Sequence, residues 1–321
     1  MLAVRGLVGR TVLKVLEEKN LSNFSYTLYA SSKSAGTKIN FFNNSYIICE
    51  LTEKAFENHF DFAIFCAGGN VSKKYIPIAV ENGTTVIDNS SIFRMDPNVP
   101  LVIPEVNPED ISKNIGIISN PNCSTIQALL PLKPIDDKYH IKRIIYSTYQ
   151  AVSGTGKFGI EDLEKKHDGL DLKKFPYSIY NNCIPHIDIF MENDYTREEL
   201  KMINETKKIL HNPNLNVTAT CVRVPILNCH GESINVELEK DFDIYDIKIM
   251  LNKFPGIIVA DNPEKNIYPL ASKSTGNDEV FVGRIRRDFS IPKGLNFWVV
   301  ADNLRKGAAT NAIQILEKLV S

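Results

Sequence analysis

The sequence predicts an α/β protein of two domains, in which a doubly wound sheet comes first and an α+β domain follows. The chain has 321 residues, more than a single hydrophobic core usually organises. Before residue 120, short apolar runs alternate with helical stretches, as is typical of parallel α/β units. Beyond residue 120 the apolar runs are longer, which favours a second domain of mixed type.

The first domain is predicted to open with a helix. Apolar residues recur at helical spacing over residues 8–18, and Gly6 and Gly9 stand at the entrance. Short apolar runs and one further helical stretch follow. We expect strands at 26–29, 62–65, 85–87 and 115–118, and a helix at 72–82.

The second domain is predicted to combine long strands with helices. We expect strands at 143–150, 216–225, 232–239 and 297–301, and helices at 160–166 and 196–210. The final segment, 308–319, is helical by its period, and we expect it to return to the first domain. The predicted domains are therefore 1–120 rejoined by 304–321, and 121–303.

Charge and cysteine content exclude several classes of function. The chain has 37 basic and 38 acidic residues and no block of like charge, so we expect no nucleic-acid partner. The six cysteines form no CxxC pair, which indicates reduced thiols rather than a zinc site or a disulfide framework, and we expect no bound metal. No apolar run predicts a membrane span and no signal peptide is recognisable, so we expect a cytoplasmic protein.

Cys123 is the strongest candidate for a nucleophile. A buried cysteine is usually only a small hydrophobic residue. Cys123, however, follows a strand-like run and precedes a segment that can turn into a helix, whose N-terminal amides would stabilise a thiolate. That placement suits covalent catalysis.

A nucleophilic thiol needs a partner that moves protons, and His230 is the best placed histidine. One strand and its turn would deliver both Arg223, which can grip a carboxylate with two hydrogen bonds, and His230. Either residue alone is more simply a surface arginine or a satisfied loop histidine. The other histidines remain formal candidates: His59, His140, His167, His186 and His211.

Further polar residues have both a functional and an ordinary interpretation. Gln150 ends a predicted strand at a loop of small residues, where its amide would orient a carbonyl group, although the loop alone is merely a turn. Arg94 follows a predicted strand and is a candidate anion ligand. Lys201 lies three residues after Glu198, and the ordinary interpretation of that spacing is a surface ion pair.

Several motifs stand in a fixed order along nearly the whole chain. They are 30–36 (ASSKSAG), 67–69 (AGG), 88–91 (DNSS), 122–125 (NCST), 149–156 (YQAVSGTG), 184–188 (IPHID), 223–230 (RVPILNCH) and 299–309 (VVADNLRKGAA). Together they resemble the motifs of the aspartate-semialdehyde dehydrogenase family, and such a series is far more specific than any one of them. The resemblance implies reversible reductive dephosphorylation of aspartyl phosphate to aspartate semialdehyde, in the biosynthesis of lysine, threonine, methionine and isoleucine.

The resemblance also implies roles for the candidate residues. Cys123 would attack the aldehyde and form a thioester, His230 would act as acid and base, and phosphate would release the acyl group. Arg223 would bind the substrate carboxylate with help from Glu198, and Gln150 would position the substrate. Arg94 and Lys201 would hold the phosphate, and the enzyme would be a homodimer.

The cofactor implied by the resemblance is NADP, bound by a Rossmann-type domain. The implied ligands are Gly6, Leu7, Val8 and Gly9 for the pyrophosphate, Ser31, Lys33 and Ser34 near the adenosine 2′-phosphate, and Ser153 and Gly154 near the nicotinamide, with Asn303 completing the site. The chain departs from the family at its start, because almost no first strand precedes Gly6. We expect that this strand begins upstream of Met1.

Two rival functions stay open at this point. One is a related acyl-phosphate reductase that acts on N-acetyl-glutamyl phosphate, although the motif around Cys123 and the spacing from Arg223 to His230 disfavour it. The other is a non-catalytic homologue whose nucleotide loop is impaired by the short first strand.

Overall fold

The structure is a computed structural model that describes residues 2–3, 6–165 and 171–321. The described chain divides into two compact units, residues 1–121 with 308–321, and residues 122–307. The predicted helix at 160–166 is observed at Lys157–Glu164, and Lys166 lies outside the described residues. No helix among the described residues is both long and apolar enough to cross a membrane.

The first unit is built on a parallel sheet whose strand order matches the doubly wound prediction. Its elements are β1 (Leu2–Ala3), α1 (Leu7–Glu18), β2 (Leu28–Ala30), β3 (Lys38–Phe41), β4 (Asn44–Ile47), β5 (Cys49–Glu50), β6 (Phe62–Phe65), α2 (Gly69–Glu81), β7 (Thr85–Asp88) and β8 (Ile117–Ser119). The sheet has the order β5-β2-β1-β6-β7-β8. With the β3–β4 hairpin set aside as an insertion, this is the 3-2-1-4-5-6 order of dinucleotide-binding folds.

The centre of this sheet is short, as the sequence predicted. Strand β1 has two residues, and it pairs in parallel with β2 on one side and β6 on the other. After β1 the chain adds β2 and β5 on one side of the sheet and then β6, β7 and β8 on the other, so the order of strands reverses between β1 and β6. Ligands of doubly wound folds bind at such a switch point.

The second unit is a mixed six-stranded sheet with its helices. Its elements are α3 (Cys123–Tyr139), β9 (Ile141–Gln150), α4 (Lys157–Glu164), α5 (Arg197–Ile209), β10 (Asn216–Arg223), β11 (His230–Leu238), α6 (Ile244–Lys253), β12 (Ile257–Val259), α7 (Ala271–Ser274), β13 (Val280–Asp288) and β14 (Gly294–Ala301). The strand order is β10-β9-β11-β14-β13-β12. Strand β11 runs antiparallel to both β9 and β14, whereas β9 and β10 are parallel.

Side chains of the central strands alternate between the two faces of this sheet. The registers place Thr148 beside Cys221 and Glu232, and Gln150 beside Arg223, so these residues share one face. Helices α3 and α5 pack on the same face, because Gln150 bonds to side chains of both helices. Tyr149 and Trp298 lie on the other face.

The last helix of the chain belongs to the first unit. A π-helical turn over Arg305–Ala309 precedes α8 (Thr310–Val320), so the regular α-helix starts two residues later than the period of the sequence predicts. Helix α8 packs against α1, and Ile313 and Leu316 join Val12 and Leu16 in one hydrophobic core. An ion pair between Lys19 and Glu317 closes the contact.

Candidate active site

Cys123 is the first residue of α3, as expected of a nucleophile at a helix N-terminus. The preceding Asn122 is the N-cap, and its side-chain oxygen accepts hydrogen bonds from the backbone N–H groups of Ser124 and Thr125 at 3.0 and 3.3 Å. The positive end of the helix therefore faces Cys123 and favours negative charge on its sulfur. Cys123 is partly exposed, whereas Cys221 and Cys229 are buried.

Asn122 itself is held by two glutamates of α5, which the sequence analysis did not single out as supports of the nucleophile. The Asn122 side-chain amide donates to Glu198 Oε1 at 2.8 Å, and its backbone N–H donates to Glu205 Oε2 at 2.7 Å. An asparagine directly before a predicted helix is an N-cap signal, so its capping role was detectable. The contacts with α5 are not visible in the sequence.

Gly307 lies against the nucleophile. A Cβ atom at Gly307 would lie 2.9 Å from the Cβ of Cys123 and 3.3 Å from its Cα. Only glycine permits this approach, which explains a glycine at this place in the motif over residues 299–309.

Glu198 forms a buried ion pair rather than the surface pair that its spacing from Lys201 suggested. It accepts hydrogen bonds from Gln150 Nε2 at 3.1 Å and from Lys201 Nζ at 3.0 Å. Burial raises the pKa of Glu198, but Lys201 and the hydrogen bonds outweigh this and lower it to about 2. Lys201 also donates to Asp188 at 2.9 Å, and the two carboxylates raise its pKa against the opposing effect of burial.

Arg223 is a buried cation without a carboxylate partner among the described residues. Its side chain is 4% exposed, and Nη1 donates to the carbonyl oxygen of Ala151 at 2.5 Å. Burial lowers the pKa of Arg223, and its charge interacts with Glu198 and Cys123. A guanidinium in this state favours a bound anion, above all a carboxylate.

His230 begins β11 and is held in one orientation. The backbone N–H of Ala151 donates to His230 Nδ1 at 3.0 Å, so in the neutral ring the proton sits on Nε2. Burial and the charge of Arg223 lower the pKa of His230 to about 3, which keeps the ring neutral at ordinary pH.

His230 and Arg223 converge on Gly154. A Cβ atom at Gly154 would lie 3.3 Å from His230 Nε2 and 3.4 Å from Arg223 Nη1. A hydrogen-bond donor and a carboxylate ligand thus reach the same point beside a loop of small residues. Asn303 joins this loop, since its side chain contacts Ser153 Oγ at 3.1 Å and accepts from the Cys229 N–H at 3.0 Å.

Gln150 presents an unused carbonyl group. Its Nε2 donates to Ser124 Oγ and to Glu198, while its Oε1 is buried and has no hydrogen-bond partner in the described structure. The sequence therefore identified residues that do lie together in the second unit: Gln150, Glu198, Lys201, Arg223 and His230, on the strands and helix that surround the N-terminus of α3.

The predicted nucleotide ligands of the first unit stand at the switch point of its sheet. Gly6 is the N-cap of α1, whose first turn contains Leu7, Val8 and Gly9, and Gly68 is the N-cap of α2. Both caps are glycines, so neither has a side chain over the helix N-terminus, and a Cβ at either position would meet no atom of the described residues within 4 Å. Open helix N-termini of this kind fit a dinucleotide pyrophosphate.

The residues after β2 are those for which the sequence predicts contacts with the adenosine ribose. Ser31, Ser32 and Lys33 are exposed, Ser34 is buried, and none of the four is acidic. An acidic side chain here would bind the ribose hydroxyl of NAD, whereas a cation accommodates the 2′-phosphate of NADP. Arg94 also lies in the first unit, where it donates to the backbone oxygens of Asn120 at 2.9 Å and Asn89 at 3.0 Å.

Comparison with known proteins gives a consistent result. The family described as "Semialdehyde dehydrogenase, NAD binding domain" matches residues 2–114, and "Semialdehyde dehydrogenase, dimerisation domain" matches residues 132–306. An aspartate-semialdehyde dehydrogenase of Aquifex aeolicus is 52% identical over 98% of this chain and 95% of its own length.

Solved structures agree with the curated relatives. Aspartate semialdehyde dehydrogenase II of Vibrio cholerae, complexed with ASA, is 44% identical, covers 98% of this chain and 95% of its own, and gives a TM-score of 0.92. The Candida albicans enzyme with NADP is 26% identical, covers 99% and 97%, and gives a TM-score of 0.77. The chain therefore belongs to the aspartate-semialdehyde dehydrogenase family of NAD(P)-dependent aldehyde dehydrogenases.

Proposed function

We propose that the protein interconverts aspartyl phosphate and aspartate semialdehyde with NADP, through a thioester on Cys123. The observation that carries this proposal is the convergence of His230 Nε2 and Arg223 Nη1 on Gly154. An aldehyde that also carries a carboxylate needs a hydrogen-bond donor for the one group and a buried cation for the other.

Substrate orientation follows from the charges of the site. Arg223 binds the substrate carboxylate with both arms of its guanidinium, because no described carboxylate competes for it. Glu198 remains ionised and attracts the amino group of the substrate. The unpartnered Oε1 of Gln150 accepts a hydrogen bond from the same end of the substrate.

Covalent catalysis then uses Cys123 and His230. The Cys123 thiolate attacks the aldehyde carbon, and the Nε2–H of His230 donates a hydrogen bond to the carbonyl oxygen, which stabilises the negative charge that develops there. This tautomer favours hydrogen-bond donation without transfer of the proton, since a neutral ring that lost its Nε2 proton would become an imidazolate and a ring that removed a proton would need Nε2 without its hydrogen. Bound NADP supplies the hydride acceptor, and phosphate attack on the resulting thioester frees Cys123 and yields the acyl phosphate.

NADP is proposed over NAD because of the residues that follow β2. Lys33 and the hydroxyls of Ser31 and Ser34 suit a 2′-phosphate, and Gly6 to Gly9 suit the pyrophosphate. Ser153, Gly154 and Asn303 are proposed for the nicotinamide, and Arg94 with Lys201 for the phosphate. A cytoplasmic location stays a prediction from the sequence.

A homodimer is proposed to form through the open face of the second sheet. Tyr149 and Trp298 line a cavity of about 710 Å³ on that face, together with Val224, Ile226 and Leu270. Tyr149, Ile226 and Leu227 are exposed by 40%, 40% and 46% in the single chain. An apolar surface of this kind is characteristic of a subunit interface.

A substrate comparison tests the proposed function. The purified protein should reduce NADP with aspartate semialdehyde beyond one equivalent per subunit only when phosphate is present, and should not act on N-acetyl-glutamate semialdehyde. The reverse preference would assign the chain to N-acetyl-glutamyl phosphate instead. Absence of NADPH binding by a folded sample, followed by NADPH fluorescence, would indicate a non-catalytic homologue.

A further inference from the structure

Glu232 is a buried carboxyl group that the proposed mechanism does not use. It is the third residue of β11 and is 0% exposed. Neither carboxyl oxygen has a hydrogen-bond partner within the described chain. No described lysine, arginine or histidine forms an ion pair with it, in contrast to Glu198.

The polar side chains around Glu232 share one deficiency, an oxygen without a hydrogen bond. Thr148 lies directly opposite Glu232 on β9, and its Oγ1 is buried and unpartnered. Gln127 of α3 donates Nε2 to the carbonyl oxygen of His230 at 3.2 Å, but its Oε1 is unpartnered. Gln150 Oε1, on the same face, is unpartnered as well.

A protonated carboxyl group can donate a hydrogen bond to one of these oxygens, whereas a carboxylate cannot. A carboxylate only accepts hydrogen bonds, so it could accept from the hydroxyls of Thr148 and Ser124 but would leave the amide oxygens of Gln127 and Gln150 without a donor. A carboxylic acid supplies one O–H donor and keeps an acceptor. An ionised group without a cation or donor at zero exposure would also be strongly unfavourable.

Electrostatics agrees with the hydrogen-bond inventory. Burial raises the pKa of Glu232 well above its usual value, and the nearby Ser124 hydroxyl and Gln127 amide offset this only in part. Glu198 raises it further. The titratable groups on the same face and on the helices that cover it include Cys123, Tyr146, Glu198, Glu199, Lys201, Glu205, Cys221, Arg223 and His230.

The position of Glu232 links it to the site. Ser124 follows the nucleophile directly and accepts a hydrogen bond from Gln150. Gln127 ties the same helix to His230, which precedes Glu232 by two residues on one strand and so shares its face. Glu232 thus lies on the strand that presents His230 and on the face covered by the helix that presents Cys123.

We propose that Glu232 is a positioning residue that acts, as an uncharged acid, through Ser124 and Gln127 on the Cys123 helix, the Gln150 amide and the His230 strand. The inference rests on the proposed function of this site. It assigns Glu232 no contact with the substrate.

The test compares two substitutions that differ only in hydrogen bonding. Glu232→Gln keeps a donor and an acceptor without charge, so kcat should stay within about twofold of the wild type. Glu232→Leu removes both, so kcat should fall on the order of tenfold while the KM for aspartate semialdehyde is retained, because Arg223 is untouched. The matched control is Glu237→Gln on the same strand, at a residue that forms an ion pair with Lys142. It should change neither kcat nor the KM for aspartate semialdehyde.

Thermal stability gives a second readout. The folded chain holds the proton of Glu232 while the unfolded chain releases it above its ordinary pKa, so this residue lowers stability as pH rises. Glu232→Gln should therefore raise the melting temperature relative to the wild type at pH 8, and the gain should shrink toward pH 5. A gain that does not depend on pH would contradict the uncharged state.

The remaining outcomes separate the alternatives. A Glu232→Gln variant as slow as Glu232→Leu would show that the charge is required, and wild-type kcat in both variants would reduce Glu232 to a structural role. The alkylation rate of Cys123, which should fall in Glu232→Leu and not in Glu232→Gln, and the pH dependence of melting need no substrate. They therefore still test Glu232 if the wild type fails to oxidise aspartate semialdehyde, which would overturn the proposed function alone.

Discussion

The two faces of the second sheet have opposite characters although alternate residues of the same strands build them. One face carries Gln150, Arg223 and His230 under α3 and α5, and the other carries Tyr149 and Trp298 around an apolar cavity. A shift of one residue in strand register would exchange the faces and destroy both. The alternation of residues along β9, β10 and β11, rather than loop conformation, holds Gln150, Arg223 and His230 on the same face.

The largest effect that this contrast predicts is on Cys123. Cys123→Ser should abolish oxidation of aspartate semialdehyde, because a serine hydroxyl, unlike a thiol, stays protonated at a helix N-terminus and is a poor nucleophile. NADPH binding should persist, as measured by fluorescence titration. Cys183→Ser, at an exposed cysteine, is the control and should retain full turnover.

Loss of the His230 hydrogen-bond donor should be severe but incomplete. His230→Ala should lower kcat by about 10²- to 10³-fold, the usual cost of removing one donor to a developing oxyanion. Residual turnover should remain because Arg223 and Cys123 still bring the reactants together. Steady-state kinetics measures kcat for this variant. The control is His186→Ala, because the ring of His186 stacks on Phe190. Equal kcat values in the two variants would contradict the role of His230.

Replacement of the carboxylate ligand should affect binding more than chemistry. Arg223→Lys keeps the charge but loses the two-armed geometry, so the KM for aspartate semialdehyde should rise by about 10- to 100-fold. The KM for phosphate should change little. Arg197→Lys, on the exposed side of α5, is the matched control, and an equal rise in its KM would remove Arg223 from the substrate site.

The neutral state of His230 predicts a pH effect on stability. Its pKa falls from 6.5 to about 3 on folding, so between these values the unfolded chain binds a proton that the folded chain does not. Stability from this residue therefore decreases as pH falls below about 6.5, by about 1.4 kcal/mol per pH unit. Urea unfolding of the wild type and His230→Asn from pH 7 to pH 5 measures the difference; a constant difference would contradict a neutral ring.

A substitution on the open face of the second sheet should weaken the dimer without changing the reactivity of Cys123. Tyr149→Glu places a charge among the apolar residues of that face, so it should raise the concentration at which the dimer dissociates in analytical ultracentrifugation. The alkylation rate of Cys123 should stay within about twofold, because residue 149 points away from Gln150 and the site. Tyr177→Glu, at an exposed position, is the control. A dimer unaffected by Tyr149→Glu would move the interface elsewhere.

Local sequence patterns predicted most elements of the fold for identifiable reasons. The helix expected at 196–210 is observed at Arg197–Ile209, with Thr196 as its N-cap in a capping box with Glu199. The strand expected at 216–225 ends at Arg223, two residues before a proline. The β3–β4 hairpin was missed because Phe42 and Asn43 form its turn with φ of 47° and 58°, and phenylalanine is not a usual residue there.

The sequence predicted the site residues that are identified by their near neighbours in the chain, but it did not predict contacts that depend on packing between distant segments. Cys123 at a helix start and Arg223 with His230 around one turn are local patterns. The contacts of Asn122 with Glu198 and Glu205 join residues far apart in the chain, which no local pattern reveals. The burial of Glu232 could have been predicted from the sequence, because it alternates in phase with Ile234, Val236 and Leu238, which are buried along β11.

The thioester on Cys123 is the central claim, and mass spectrometry of the trapped enzyme tests it most directly. The protein is mixed with aspartate semialdehyde and NADP without phosphate, quenched in acid, and digested. We predict an aspartyl group on the peptide that contains Cys123, its loss when phosphate is added before the quench, and no adduct in Cys123→Ser. NADP reduction without an acylated Cys123, or an adduct on another residue, would contradict the account.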